Sequence, residues 1–182
     1  MNKVLGHLST ITKHRHLVIK MCFKCGMYKQ GLLHDLSKYT PSEFISSVKY
    51  FHGDKSPITY EKKDIGYSNC WLHHKGRNKH HWEYWTDRVS YELVSLEMPF
   101  NYMLESVLDK IAASKVYKKD EYANDYPIDF FKKSYEIKVM NTNTSRQIEL
   151  LLTYLKDNGE EKTLNYIKQL YKNYKKNKNY TI

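Results

Sequence analysis

Histidines cluster in this sequence in a pattern that indicates a metal site. Nine histidines occur in 182 residues, and most of them fall into three clusters. The clusters are His14 with His16, then His34, and then His73, His74, His80 and His81. Neutral imidazole is a good ligand for Zn, Fe, Mn and Ni. A single histidine more often lies on the surface of a basic protein, but the set as a whole favours bound metal.

The pair His34-Asp35 carries the strongest chemical pattern. It lies in the segment Gly-Leu-Leu-His-Asp-Leu-Ser-Lys, within a helix that we predict from about Gln30 to Ser37. Adjacent residues of a helix point about 100° apart, so both side chains can reach one ion that lies across the helix surface. Lys38 follows one turn after His34, where its amino group could hold a phosphate oxygen. We expect three leucines to anchor this helix in the core, namely Leu32, Leu33 and Leu36.

This segment resembles the Leu-Leu-His-Asp-Ile-Gly-Lys core of HD-domain phosphohydrolases, which are metal-dependent helical bundles. In those proteins a histidine from an earlier helix precedes the His-Asp pair, and an aspartate from a late helix follows it. The resemblance implies that His14, with Val18 one turn later, is the earlier histidine, and His16 is the competing candidate. It implies that Asp109, which opens the pattern Asp-Lys-Ile-Ala, is the late aspartate.

The stretch from His73 to Glu83 implies further ligands. HD proteins with two or more metals carry extra histidines between the His-Asp pair and the final aspartate, and one branch has His-His-Glu there. The similar segment here is His-His-Trp-Glu, so we carry over the histidines as ligands and leave the role of Glu83 open. The ligands implied in this stretch are His74, His80 and His81. Residues 10–117 also resemble an uncharacterised family of low-GC bacteria and their phages that is grouped near HD proteins.

Four residues are candidates for catalytic roles beside the metal. Asp35 could bridge two ions or orient the attacking water, and Glu105, one turn before Asp109, could be an acid/base group, a partner of a ligand or a solvated residue. Lys38 and Arg77 could neutralise charge on a phosphoryl group. The expected cofactor is one or two divalent ions, among which Fe, Mn, Zn, Ni and Co cannot be distinguished.

The favoured function is hydrolysis of a phosphate ester on a small substrate, with a nucleotide preferred by family analogy. The net charge of +10 makes nucleic acid an alternative partner, and a nuclease a second hypothesis. The residues His74, Asn78 and His81 resemble a His-Asn-His arrangement, but that fold needs a hairpin, and we expect no strands. A third hypothesis is a non-catalytic module that holds a structural ion, and oxygen activation by a di-iron pair is also open.

The elements that position these residues are predicted to be almost entirely helical. Residues 1–125 are expected to form an HD-like helical domain, and residues 126–182 a helical extension on the same domain that ends in a basic tail and could form a homodimer. We predict helices at about 10–26, 30–37, 42–51, 69–74, 79–87, 100–117, 144–156 and 160–175, with an irregular segment from His52 to Ser68. Four aromatic residues could stack on a base but are expected rather to pack in the core, namely Trp71, Trp82, Tyr84 and Trp85.

Cysteine content and hydropathy suggest a location. Cys22, Cys25 and Cys70 are an odd number in a chain of this size, which favours a reducing cytoplasm over a disulfide framework. The pair Cys22 and Cys25 is expected to pack in the core rather than bind zinc. We predict no signal peptide and no membrane span.

Overall fold

The computed structural model describes residues 2–182, and helices dominate it, which confirms the all-α prediction. Within these residues the α-helices are α1 Lys3–Lys24, α2 Tyr28–Leu33, α3 Pro41–Lys49, α4 Pro57–Ile65, α5 Asn69–Lys75, α6 Phe100–Lys118, α7 Tyr126–Lys133, α8 Glu136–Val139, α9 Thr142–Asn158 and α10 Glu160–Lys176. Short 3-10 turns occupy Leu36–Tyr39, Trp82–Trp85 and Lys119–Glu121. None of the helices in this part of the chain is long and apolar enough to cross a membrane.

Helix α6 lies at the centre of the structure. It contacts α1, α7, α9 and α10, and apolar residues on several of its faces are fully buried. A helix that is apolar nearly all round belongs inside a protein. Two acidic residues nevertheless lie on this helix, Glu105 and Asp109. A charged carboxylate is costly in such surroundings unless it has hydrogen-bond or charged partners, so both of these residues require such partners.

The two C-terminal helices share the core with α1 and α6. Leu151, Leu152 and Leu155 of α9 and Ile167 of α10 are fully buried in the same apolar cluster as residues of α1 and α6. Cys22 and Cys25 also lie in this cluster, so the pair packs in the core as predicted. Helix α1, which carries His14, therefore packs against both α6 and α10.

The chain around His34 departs from the predicted helix. Helix α2 ends at Leu33, His34 is extended, and Asp35 adopts the left-handed conformation with φ of 55°. Aspartate tolerates this conformation better than most residues. The prediction that three leucines anchor a core helix here is wrong, because the turn directs His34 and Asp35 inward and leaves the leucines at the surface. These exposed leucines are Leu32, Leu33 and Leu36.

Two further segments differ from the predictions. The segment predicted to be irregular contains α4, which begins at Pro57 and ends before Gly66 with φ of 82°. The segment predicted as a helix at 79–87 contains a 3-10 turn, and then an antiparallel hairpin pairs Thr86–Val89 with Glu92–Ser95. The expectation of no strands is therefore wrong at this hairpin. Its turn residues Ser90 and Tyr91 both have positive φ, a conformation that sequences usually signal with Asn-Gly.

The crossing of α1 and α2 depends on the absence of a side chain at Gly31. A Cβ atom at this position would lie 2.9 Å from Cys22 Cβ and 3.4 Å from the Cα of Ile19. We predict that Gly31→Ala lowers the free energy of unfolding by about 1–3 kcal/mol, because the added methyl group overpacks a backbone contact.

Urea denaturation measures this effect, with Gly76→Ala as the matched control. A Cβ atom at Gly76 meets the carbonyl oxygen of Leu72 at 3.4 Å, an ordinary contact. Equal midpoints for the two variants would show that Gly31 does not set the helix crossing.

Candidate metal centre

Asp35 is the central carboxylate of a buried cluster. Its side chain is 1% exposed, and its two oxygens face different histidines. Oδ2 lies 3.2 Å from His14 Nε2 and 3.3 Å from His34 Nε2. Oδ1 lies 3.3 Å from His74 Nε2 and 3.4 Å from His80 Nε2. One carboxylate is therefore shared between two sets of candidate ligands.

The first ligand group consists of His14, His34, Asp35 and Asp109, whose donor atoms lie within 4.8 Å of one another. His14 Nε2 is 3.0 Å from Asp109 Oδ1 and 3.3 Å from His34 Nε2. His14 belongs to the buried face of α1 together with Ile11 and Val18, whereas His16 is exposed. The structure thus places His14, and not His16, in this group.

The second ligand group consists of Asp35, His74, His80 and His81. The structure does not bring His73 into it, because its Nδ1 contacts Glu43 and its Nε2 contacts the Ser42 hydroxyl. Asp35 therefore belongs to both groups. The two groups together contain every residue predicted as a metal ligand.

The donor atoms of these groups fit a metal ion. Among residues 2–182, Asp35 Oδ1 and the Nε2 atoms of His74, His80 and His81 are buried without a hydrogen-bond partner. A buried polar atom without a partner costs about 1–3 kcal/mol. Because the unpartnered atoms converge and combine imidazole with carboxylate, they are compatible with a divalent metal.

Two carboxylates outside the two groups orient the histidines. Glu105 accepts a hydrogen bond from His34 Nδ1 at 2.8 Å and lies 3.2 Å from His80 Nδ1. Glu43 accepts from His74 Nδ1 at 2.8 Å. A carboxylate that holds Nδ1–H fixes the tautomer and leaves the Nε2 lone pair for a metal. Glu105 thus contacts a histidine of each group, and its own carboxylate forms a third candidate ligand group with His34 and His80.

Glu43 is a site residue that the sequence reasoning missed. It is fully buried and lies in the first turn of α3. Its partners His73 and His74 lie on α5, which packs against α3. Glutamate is common in the first turn of a helix, so the sequence gives no sign that Glu43 contacts a histidine.

The electrostatics of the cluster suit a cation. Burial by itself would raise the pKa of Asp35, but His34, Lys38 and His74 outweigh it and hold this pKa well below its usual value. Burial and the neighbouring His80 and His74 hold the pKa of His81 well below its usual value. An ionised carboxylate beside a neutral imidazole is the state that binds a divalent ion.

His34 behaves differently because three carboxylates surround it. Burial would lower its pKa, but Asp35, Asp109 and Glu105 raise this pKa well above the usual value. Without a metal, the imidazolium of His34 therefore offsets part of the buried negative charge. A divalent cation would supply that positive charge instead, and would release the proton on binding.

Of the two residues predicted to bind phosphate, Lys38 lines a cavity at the candidate metal centre and Arg77 does not. Lys38 Nζ lies 2.5 Å from Asp35 Oδ2, and its side chain is 27% exposed. It lines a cavity of about 690 Å³ together with His14, His74, His81 and Asp109.

Arg77 does not line this cavity. It is exposed at the surface, where its guanidinium lies 3.4 Å from the carbonyl oxygen of His73. Glu83 is half-buried and lies outside both ligand groups. Of the predicted aromatic residues, Trp82 and Trp85 pack against the core, Tyr84 is exposed, and Trp71 lines the cavity.

Comparison with known proteins gives a family match over most of the chain. The model of a family described as a family of unknown function (DUF5662) matches residues 3–154. This range includes both ligand groups and the carboxylates that orient them. No curated protein and no solved structure matches the chain with significance.

Metal retention distinguishes ligands from their neighbours. We predict that His14→Ala and His74→Ala each lower the bound metal per chain by at least half after dialysis, whereas His16→Ala and His73→Ala retain it. The orienting variant Glu105→Gln should weaken metal affinity by about 10–100-fold. Inductively coupled plasma mass spectrometry measures the metal content. Equal metal loss from His14→Ala and His16→Ala would refute the assignment of the first ligand group.

Proposed function

The chain belongs to the DUF5662 family, and we propose that it is a metal-dependent phosphohydrolase that cleaves a phosphate ester. One observation carries this proposal. Asp35 is shared by two ligand groups, and members of both groups line one cavity together with Lys38, namely His14, Asp109, His74 and His81. A metal centre and a cation that face the same space suit the recognition and activation of a phosphoryl group.

The resemblance to HD-domain phosphohydrolases supports the same function. That resemblance implies a set of four ligands from an early helix, the His-Asp pair and a late helix. His14, His34, Asp35 and Asp109 are the residues concerned, and their donor atoms lie within 4.8 Å of one another. Four positions spread over almost a hundred residues are thus adjacent in space in the combination that the resemblance requires.

The residues of the site divide the work of hydrolysis. A divalent ion, when bound, lowers the pKa of a coordinated water and polarises a phosphoryl oxygen. Asp35 holds ligand positions in both groups, and Glu105 orients His34 and His80. Lys38 offsets negative charge that develops on the phosphoryl oxygens. In the overall reaction a water oxygen bonds to phosphorus, the ester P–O bond breaks, and the leaving oxygen takes a proton.

The donor set accepts several metals. Mixed imidazole and carboxylate ligands are compatible with Fe, Mn, Zn, Ni and Co. The split of the ligands into two groups that share a carboxylate favours two ions over one.

The nuclease hypothesis receives no support from Asn78. Its side-chain amide donates to the Ser37 hydroxyl at 2.8 Å and to the His74 carbonyl at 2.8 Å. These hydrogen bonds satisfy the buried amide of Asn78. They also hold the chain just before His80 and His81 against α5.

A phosphoester panel tests the proposal. Protein reloaded with Mn, Fe, Zn, Co or Ni is expected to hydrolyse at least one phosphomonoester. Asp35→Asn should abolish the activity, and Lys38→Met should lower kcat by about 10²–10³-fold, as the loss of one charge-stabilising group does. Arg77→Ala is the matched control and should retain activity near that of the unmodified protein, since Arg77 lies outside the cavity.

Two results would contradict the proposal. One is the absence of hydrolysis with every reloaded metal. The other is full activity in Asp35→Asn.

A further inference from the structure

The cavity extends well beyond the metal centre. His14 and Asp109 of the ligand groups line its floor, and residues at the start of α4 and in α7 line its outer wall. Its volume of about 690 Å³ is in the range of sites that enclose a small organic molecule. The wall that a substrate would meet beyond its phosphoryl group therefore determines specificity. This inference rests on the proposed function.

The charges on that outer wall are balanced, although the chain as a whole carries +10. Lys110 Nζ lies 2.9 Å from Glu136, and Lys118 Nζ lies 3.7 Å from Glu121. Lys55 is adjacent in sequence to Asp54, which also lines the wall. Each lysine of the outer wall thus has a carboxylate near it, and a wall without net charge does not attract additional phosphates.

The rest of the outer wall is apolar and aromatic. Ile58, Val116 and Phe131 contribute buried or half-buried surface, and Tyr117 and Phe130 contribute exposed surface. Phe130 is 66% exposed, so its ring is accessible to a molecule in the cavity. An exposed aromatic side chain that lines a cavity can cover an apolar group of a ligand.

We propose that the substrate is a small phosphomonoester whose organic group is apolar or aromatic. Its phosphate would lie on the floor near Lys38, and its organic group would lie against Tyr117 and Phe130. The balanced wall disfavours polyphosphates, and the partly enclosed shape disfavours a nucleic-acid strand, which needs a continuous basic surface. The net positive charge of the chain therefore lies elsewhere and does not identify the substrate.

Binding of two non-hydrolysable phosphonates tests this proposal. Isothermal titration calorimetry of the Mn²⁺- or Zn²⁺-loaded protein should show that phenylphosphonate binds at least 10-fold more tightly than methylphosphonate. Phe130→Ala should reduce this preference at least threefold and leave methylphosphonate binding unchanged. Tyr135→Ala is the matched control, because Tyr135 is 72% exposed and lies outside the cavity. It should preserve the full preference.

Three results would overturn the proposal. They are equal affinity for the two phosphonates, no binding of either, and tighter binding of ATP or of a single-stranded oligonucleotide. Failure of the proposed function gives a different result, since the phenyl preference would then appear without hydrolysis of any phosphoester. Hydrolysis without the phenyl preference would sustain the function and exclude this substrate class.

Discussion

A fully buried carboxylate needs positive charge or hydrogen-bond donors around it. Asp35 is such a carboxylate, and the surrounding side chains of the site are arranged about its two oxygens. Its two oxygens face different histidines, and Lys38 approaches one of them. A metal ion at each oxygen would satisfy the carboxylate and the unpartnered histidine nitrogens together. The cluster is therefore compatible with a divalent cation, which would offset its buried negative charge.

The fold serves this requirement by bringing separate helices close to one short turn. Gly31 lets α2 approach α1, so that the chain can reverse at His34 and Asp35 a few residues later. Helix α6 passes through the core and supplies acidic residues from its interior face. Glu43 and Glu105 then fix the histidines by their Nδ1 atoms. Apolar packing of α1 and α6 in the core therefore fixes the positions of the polar side chains of the site.

The candidate ligands could be named from the sequence, whereas the local geometry that brings them together could not. His14 is implied by the resemblance to HD-domain proteins, and the structure places it on the buried face of α1 with Ile11 and Val18. The left-handed turn at Asp35 could not be predicted, since the surrounding residues favour a helix and only tertiary contacts compensate the break. Glu43 could not be predicted either, because nothing in the sequence connects it with residues of α5. The hairpin lacks the turn residues that normally announce one.

Anomalous X-ray scattering from crystals of the metal-loaded protein tests the central claim most directly. Two peaks are predicted, one on each side of the Asp35 carboxylate. One peak should contact His14, His34 and Asp109, and the other should contact the second group's histidines. A single peak, a peak remote from Asp35, or no peak in metal-loaded protein would contradict a shared-carboxylate metal centre.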